Sequence, residues 1–115
     1  MKTAISMWQG NIKKHTSKNP LIKKLMDLYY KDLIKIIDNT SSKNILDMGC
    51  GEGFVVSKIK ENLSDVDIEG MDIDDYYLEY ARSNFNNIKF NKGSIYKIPK
   101  EDNSFDLVLC NQVLE

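Results

Sequence analysis

Apolar and polar residues along this chain keep two different rhythms. From Pro20 onward Leu21, Ile22, Leu25, Met26, Tyr29, Leu33, Ile36 and Ile37 recur at the spacing of one helix face. Asn19 ahead of Pro20 supplies a capping side chain and then a proline for the first turn. The pattern predicts a helix from residue 20 to about residue 38, ending in a polar Asn-Thr-Ser-Ser turn and packing its stripe on a sheet. Beyond that turn, short apolar runs alternate with helical segments. Strands are predicted over 44–47, 67–71, 88–91 and 105–109, and helices over 53–62 and 75–83, with Asp74 and Asp75 capping the latter. Strands alternating with helices at this spacing indicate parallel βαβ units and an α/β fold. Tyr29, Tyr30, Tyr76 and Tyr77 read as packing residues.

Length and charge narrow this picture. With 115 residues the chain is at most one domain, divided into an N-terminal segment and helix over 1–43 and a partial α/β unit over 44–115. Hydrophobic residues make up 42% and charged residues 29%, the balance of an ordinary soluble protein. No apolar run suits a membrane span or a signal peptide, so a cytoplasmic location is expected. The net charge of −1 is unevenly spread: residues 1–44 hold 9 Lys/Arg against 3 Asp/Glu, and residues 45–115 hold 7 against 14. The basic leader suits an acidic substrate or simply a solvated helix face. Aromatic and basic residues do not interleave as in a single-strand nucleic-acid binder, so no nucleic-acid partner is expected. Two cysteines exclude a disulfide framework, and neither has a histidine or further cysteine nearby to build a zinc site. Both are read as reduced packing thiols, brought near one another at the end of the sheet.

The candidate chemistry sits in Ile45-Leu46-Asp47-Met48-Gly49-Cys50-Gly51-Glu52-Gly53-Phe54. An apolar strand ends in an acid, three glycines alternate with other residues, and apolar residues resume at helical spacing. A turn stripped of side chains lets a ligand approach the backbone, and the following helix aims unpaired N–H groups at it. The dinucleotide-binding pattern G-x-G-x-x-G is the rival reading, with Asp72 as its downstream acid. It is disfavoured because Gly53 comes one residue early and Phe54 stands where a small residue is wanted.

The stretch resembles the first motif of class I S-adenosylmethionine-dependent methyltransferases, apolar–apolar–Asp–x–Gly–x–Gly–x–Gly. Ile68-Glu69-Gly70-Met71-Asp72, Ile88-Lys89-Phe90-Asn91-Lys92-Gly93-Ser94 and Ser104-Phe105-Asp106-Leu107-Val108-Leu109-Cys110-Asn111 follow in the family's order, so the likeness runs from about Asn44 to Glu115. The resemblance implies a Rossmann-like, doubly wound parallel sheet of which four strands are present, in the order 3-2-1-4. It also implies S-adenosyl-L-methionine as cofactor. The family's sheet is larger than four strands, so the chain is expected to supply the cofactor-binding half, leaving an apolar fourth strand on an open edge that invites self-association.

Residue roles carried by the resemblance are expectations. Gly49, Gly51 and Gly53 would lie against the methionine part of the cofactor, with Cys50 and Glu52 lining the same loop. Asp47 would anchor the loop and orient the ammonium group. Asp72 would accept from the ribose hydroxyls, and Ile73 would press on the adenine face or else belong to the core. Ser94 stands where many members have an acid, and together with Ile95 it would meet the adenine. Asn111 would face the reactive methyl group or cap the next helix. No catalytic residue is assigned; His15, the sole histidine, reads as a surface residue or a general base. The expected reaction is methyl transfer to a small-molecule acceptor. An NAD-dependent oxidoreductase or epimerase fragment and a non-catalytic cofactor-binding or assembly module are the alternatives.

Overall fold

A computed structural model of the protein describes residues 16–94 and 104–110. Helix α1 spans Pro20–Asn39, and the Asn19 side chain accepts from the backbone N–H groups of Leu21 and Ile22 as its cap. At its other end the Thr40 hydroxyl donates to the Ile37 carbonyl at 2.6 Å. The buried stripe is Met26, Tyr30, Leu33 and Ile37. It is narrower than the sequence pattern: Leu21, Leu25 and Ile36 are 67%, 38% and 41% exposed. One ridge of a helix fits one groove, and α1 rests chiefly along the next helix instead of lying flat on the sheet. Off that ridge Leu21, Leu25, Leu28 and Ile36 are exposed, while Ile22, Tyr29 and Ile34 pack partly against the core.

The sheet consists of β1 (Asn44–Met48), β2 (Asp67–Asp72), β3 (Lys89–Lys92) and β4 (Leu107–Cys110), all parallel, in the order β3-β2-β1-β4. Helix α2 (Phe54–Asn62) joins β1 to β2, and α3 (Asp75–Asn84) joins β2 to β3. The strand order agrees with the expectation. The fourth strand starts two residues later than the apolar run. Phe105 packs against Leu46, Met48 and Met71 on one face of the sheet. The Asp106 carboxylate accepts from the backbone N–H groups of Lys43 and Asn44 at 2.9–3.2 Å. Both residues precede the strand and anchor it, and the Asp106 N–H donates to the Asn44 carbonyl at 2.9 Å.

Alternation along the strands sorts the core. Ile45, Ile68 and Phe90 join Ile37, Val56, Ile59, Leu78 and Ala81 in the larger cluster, which carries α1, α2 and α3. Leu46, Met48 and Met71 form the smaller one on the opposite face. Each fully buried aliphatic side chain contributes about 1.5–3 kcal/mol relative to exposure. Phe90 lies so close over β2 that a Cβ at Gly70 would stand 2.6 Å from its ring and 2.9 Å from the Cys50 sulfur. Because the chain runs from β1 to β2 and β3 on one side and returns as β4 on the other, the strand order reverses at β1. Open α/β sheets bind ligands beyond the strand ends at such a point.

Candidate cofactor site

The turn after β1 is fixed by main-chain bonds. Gly49 and Cys50 both donate to the Met71 carbonyl, at 2.8 and 3.0 Å, and Gly53 donates to the Cys50 carbonyl at 3.1 Å. Gly49, Gly51 and Gly53 have φ of 74°, 57° and 90°, in the left-handed region that costs other L-residues about 1–2 kcal/mol. Gly53 occupies the cap position of α2 and offers no side chain to the helix, so the first-turn N–H groups remain available to a ligand. Phe54 packs on Tyr80 and Phe85, with ring centroids 5.8 and 5.7 Å away. That contact explains a large residue where a dinucleotide loop requires a small one.

Asp72 does more than the sequence suggests. Its carboxylate accepts from the N–H of Gly51 and of Asp74, each at 2.9 Å, and its carbonyl accepts from Gly93 at 3.1 Å. The loops after β1, β2 and β3 therefore meet on one residue, which is 7% exposed. A solvated strand-end acid is excluded. Each carboxylate oxygen has a second lone pair for a hydroxyl donor.

Asp47, at 1% exposure, is the penultimate residue of β1 and pairs between Gly70 and Leu109. Burial first, and then the charge of Asp47, pushes the Tyr29 hydroxyl of α1 up. Glu52 is 5% exposed, and burial is the main cause that raises its carboxyl above the ordinary range, with Asp72 adding to it. Cys50 also closes the turn through its side chain, the thiol donating to the Gly51 carbonyl at 3.7 Å. Its thiol is buried toward Gly70, and burial, followed by the charges of Asp47 and Asp72, pushes it up. Cys110 is exposed, so the two cysteines are not alike packing thiols; both are free.

Ile73 is 68% exposed beside Asp72 and is not a core residue. Tyr76, expected to pack, is 65% exposed and touches Tyr77 edge-on. The Asp74 side chain caps α3 by accepting from Tyr76 N–H at 2.9 Å. Ser94 is half-buried just past β3. Ile95, Asn111 and His15 lie outside the described residues. Sequence reasoning missed the double duty of Asp72 and the burial of Glu52; an acid between two glycines of a tight turn was the available signal.

Buried acids flanking a glycine turn and an uncapped helix start suit a ligand that carries ammonium, carboxylate and vicinal hydroxyl groups together. A family model described as a methyltransferase domain matches residues 39–115. The chain belongs to the class I S-adenosylmethionine-dependent methyltransferase family. Family membership sets the NAD reading aside. An uncharacterized methyltransferase of Schizosaccharomyces pombe is 31% identical over 93 residues, covering 71% of this chain and 33% of that protein. A malonyl-[acyl-carrier protein] O-methyltransferase of Acetivibrio thermocellus is 32% identical over 81 residues, covering 69% and 28%. Among solved structures, S-adenosylmethionine-bound CalS10, an amino pentose methyltransferase from Micromonospora echinaspora, superposes with a TM-score of 0.62 at 21% identity, over 71% of this chain and 34% of that one. The chain thus spans about a third of the length of the curated relatives it matches. Among the described residues no helix is long and apolar enough to cross a membrane.

Proposed function

We propose that this chain holds S-adenosyl-L-methionine at the turn between β1 and α2 and forms the cofactor-binding part of an enzyme that methylates a small-molecule acceptor. The observation that carries this reading is the positive-φ glycine turn, tied to β2 through Asp72 and leading into a helix whose start has no side-chain cap. The cofactor supplies a methyl group already activated on a sulfonium. The protein's part is to hold and align it. The N–H groups at the start of α2 face the carboxylate end of the methionine moiety. Asp47 orients its ammonium, and Asp72 adds the ribose hydroxyls to the two N–H groups it already accepts. Ile73, exposed beside Asp72, offers its side chain to the adenine, with Ser94 and Ile95 at the next strand end. Asn111, the next residue in sequence after β4, is assigned to the methyl group by the family likeness alone.

For the acceptor, the support is the structural neighbour CalS10, by name an amino pentose methyltransferase. The first test is calorimetric titration of the chain with S-adenosylmethionine and, separately, NAD. Binding of the former alone supports the reading, and binding of neither or of NAD overturns it. The acceptor class is tested by adding cofactor labelled in its methyl group to a cell extract. Label in the low-molecular-mass fraction supports a small acceptor; label confined to macromolecules rejects it.

A further inference from the structure

We propose that the cleft between helices α1 and α2 binds a small molecule that carries a phosphate monoester. The cleft encloses about 400 Å³, and no residue of the glycine turn lines it. Its floor is Met26 and Tyr30, both buried, and Lys18, Lys23 and Lys58 stand around it. Among the described residues no carboxylate lies within ion-pair distance of any of these three ammonium groups. Asp27 shares the lining and follows Lys23 by one helical turn, yet it pairs with none of them.

Like charges gathered around one cavity repel one another, and an anion placed between them relieves this. Lys58 is half-buried, and its ammonium sits 5.4 Å from the centre of the Tyr30 ring. That contact holds a cation at the wall of the cleft without using up its N–H donors. Ser17 accepts from the Asn19 N–H at 3.1 Å and keeps its own O–H to donate. The cleft continues past Lys31 and Ile34 of α1 and Glu61 and Asn62 of α2. Residue numbers rise together along both helices, so α1 and α2 run parallel and their positive dipole ends lie toward the lysines.

Charge selects the ligand. Three lysines and one aspartate leave a balance that a phosphate monoester meets as a dianion near neutral pH. Its three free oxygens can accept from each lysine separately, which a carboxylate with two oxygens cannot do. A phosphodiester carries too little charge.

Calorimetric titration of the chain with phenyl phosphate near neutral pH tests this, with phenol and methyl phenyl phosphate, a monoanionic diester, as controls. One saturable site is expected for phenyl phosphate, and about tenfold or weaker binding for both controls. K23Q and K58Q should each weaken it roughly three- to tenfold. K35Q removes an α1 lysine outside the cleft and should leave affinity unchanged. Absence of a saturable site overturns the proposal. So does an equal loss in K35Q, which marks diffuse attraction to a basic helix. Equal affinity for the diester overturns the monoester assignment, and equal affinity for phenol shows an apolar pocket with no anion site. The outcome is independent of S-adenosylmethionine binding, since no residue of the glycine turn is altered.

Discussion

Asp72 and Asp106 hold opposite ends of the sheet by the same device. Each carboxylate accepts from two backbone N–H groups, Asp72 from Gly51 and Asp74, Asp106 from Lys43 and Asn44. Asp72 lies where the strands end and is buried; Asp106 lies where they begin and is exposed. Water can replace Asp106 for its donors, whereas the N–H of Gly51 has no such substitute. The number of backbone donors is alike, and their surroundings set how far the fold depends on them.

The sharpest way to break the comparison is to remove each acid. Asp72→Ala should lower stability by about 2–4 kcal/mol, because buried donors lose their partner, and should abolish calorimetric binding of the cofactor. Urea denaturation read alongside titration checks both. Gly70→Ala attacks the same end from beneath, forcing Phe90 and the Cys50 thiol apart. It should cost about 1–3 kcal/mol and speed reaction of Cys50 with a thiol reagent, while Phe90→Leu in the same chain should restore part of the loss.

Asp106→Asn should lower the thermal midpoint by less than either. The N–H of Lys43, first among several donors, holds the Asp106 carboxyl below the ordinary range. A depressed acid contributes its stability above its unfolded-state pKa, about 3.9, and loses it as pH falls through the lower folded value. The difference between wild type and Asp106→Asn should therefore be full at neutral pH, begin to shrink near about pH 4 and vanish only once pH has fallen below the lower folded value. Glu52 is raised, so its burden runs the other way, present at neutral pH and relieved by acid. Smallest of all is Lys43→Ala. The Lys43–Asp65 ion pair, at 2.5 Å, is solvent-exposed on both sides, and its loss should leave the melting temperature in physiological salt unchanged within error.

Much of this molecule could be read from spacing. The run from Ile45 to Phe54 identified the β1 turn and α2 because alternating glycines have few other uses, and each helix cap was written in Asn19 and Asp74. The strand order came with the family likeness. What escaped was set by partners distant in sequence. Helix α1 has more apolar residues than its groove can bury, so Tyr30 is in the core while Leu25 and Ile36 are not. Phe105 and Asp106 read as strand, yet one fills a core cluster and the other ties β1 at a separation of more than sixty residues. Cys50 and Cys110 looked equivalent until burial separated them. At the site, the positions of Asp47, Asp72 and the glycines were legible, whereas Glu52 showed its interest only through its burial.

The junction at Asp72 carries a consequence for timing. Three strand-end loops share one residue, so none of them opens without disturbing the other two. A ligand hydroxyl that settles on this carboxylate would quiet all three at once. Backbone amides at Gly51, Asp74 and Gly93 should then slow their hydrogen exchange in step upon saturation, as a single cooperative unit.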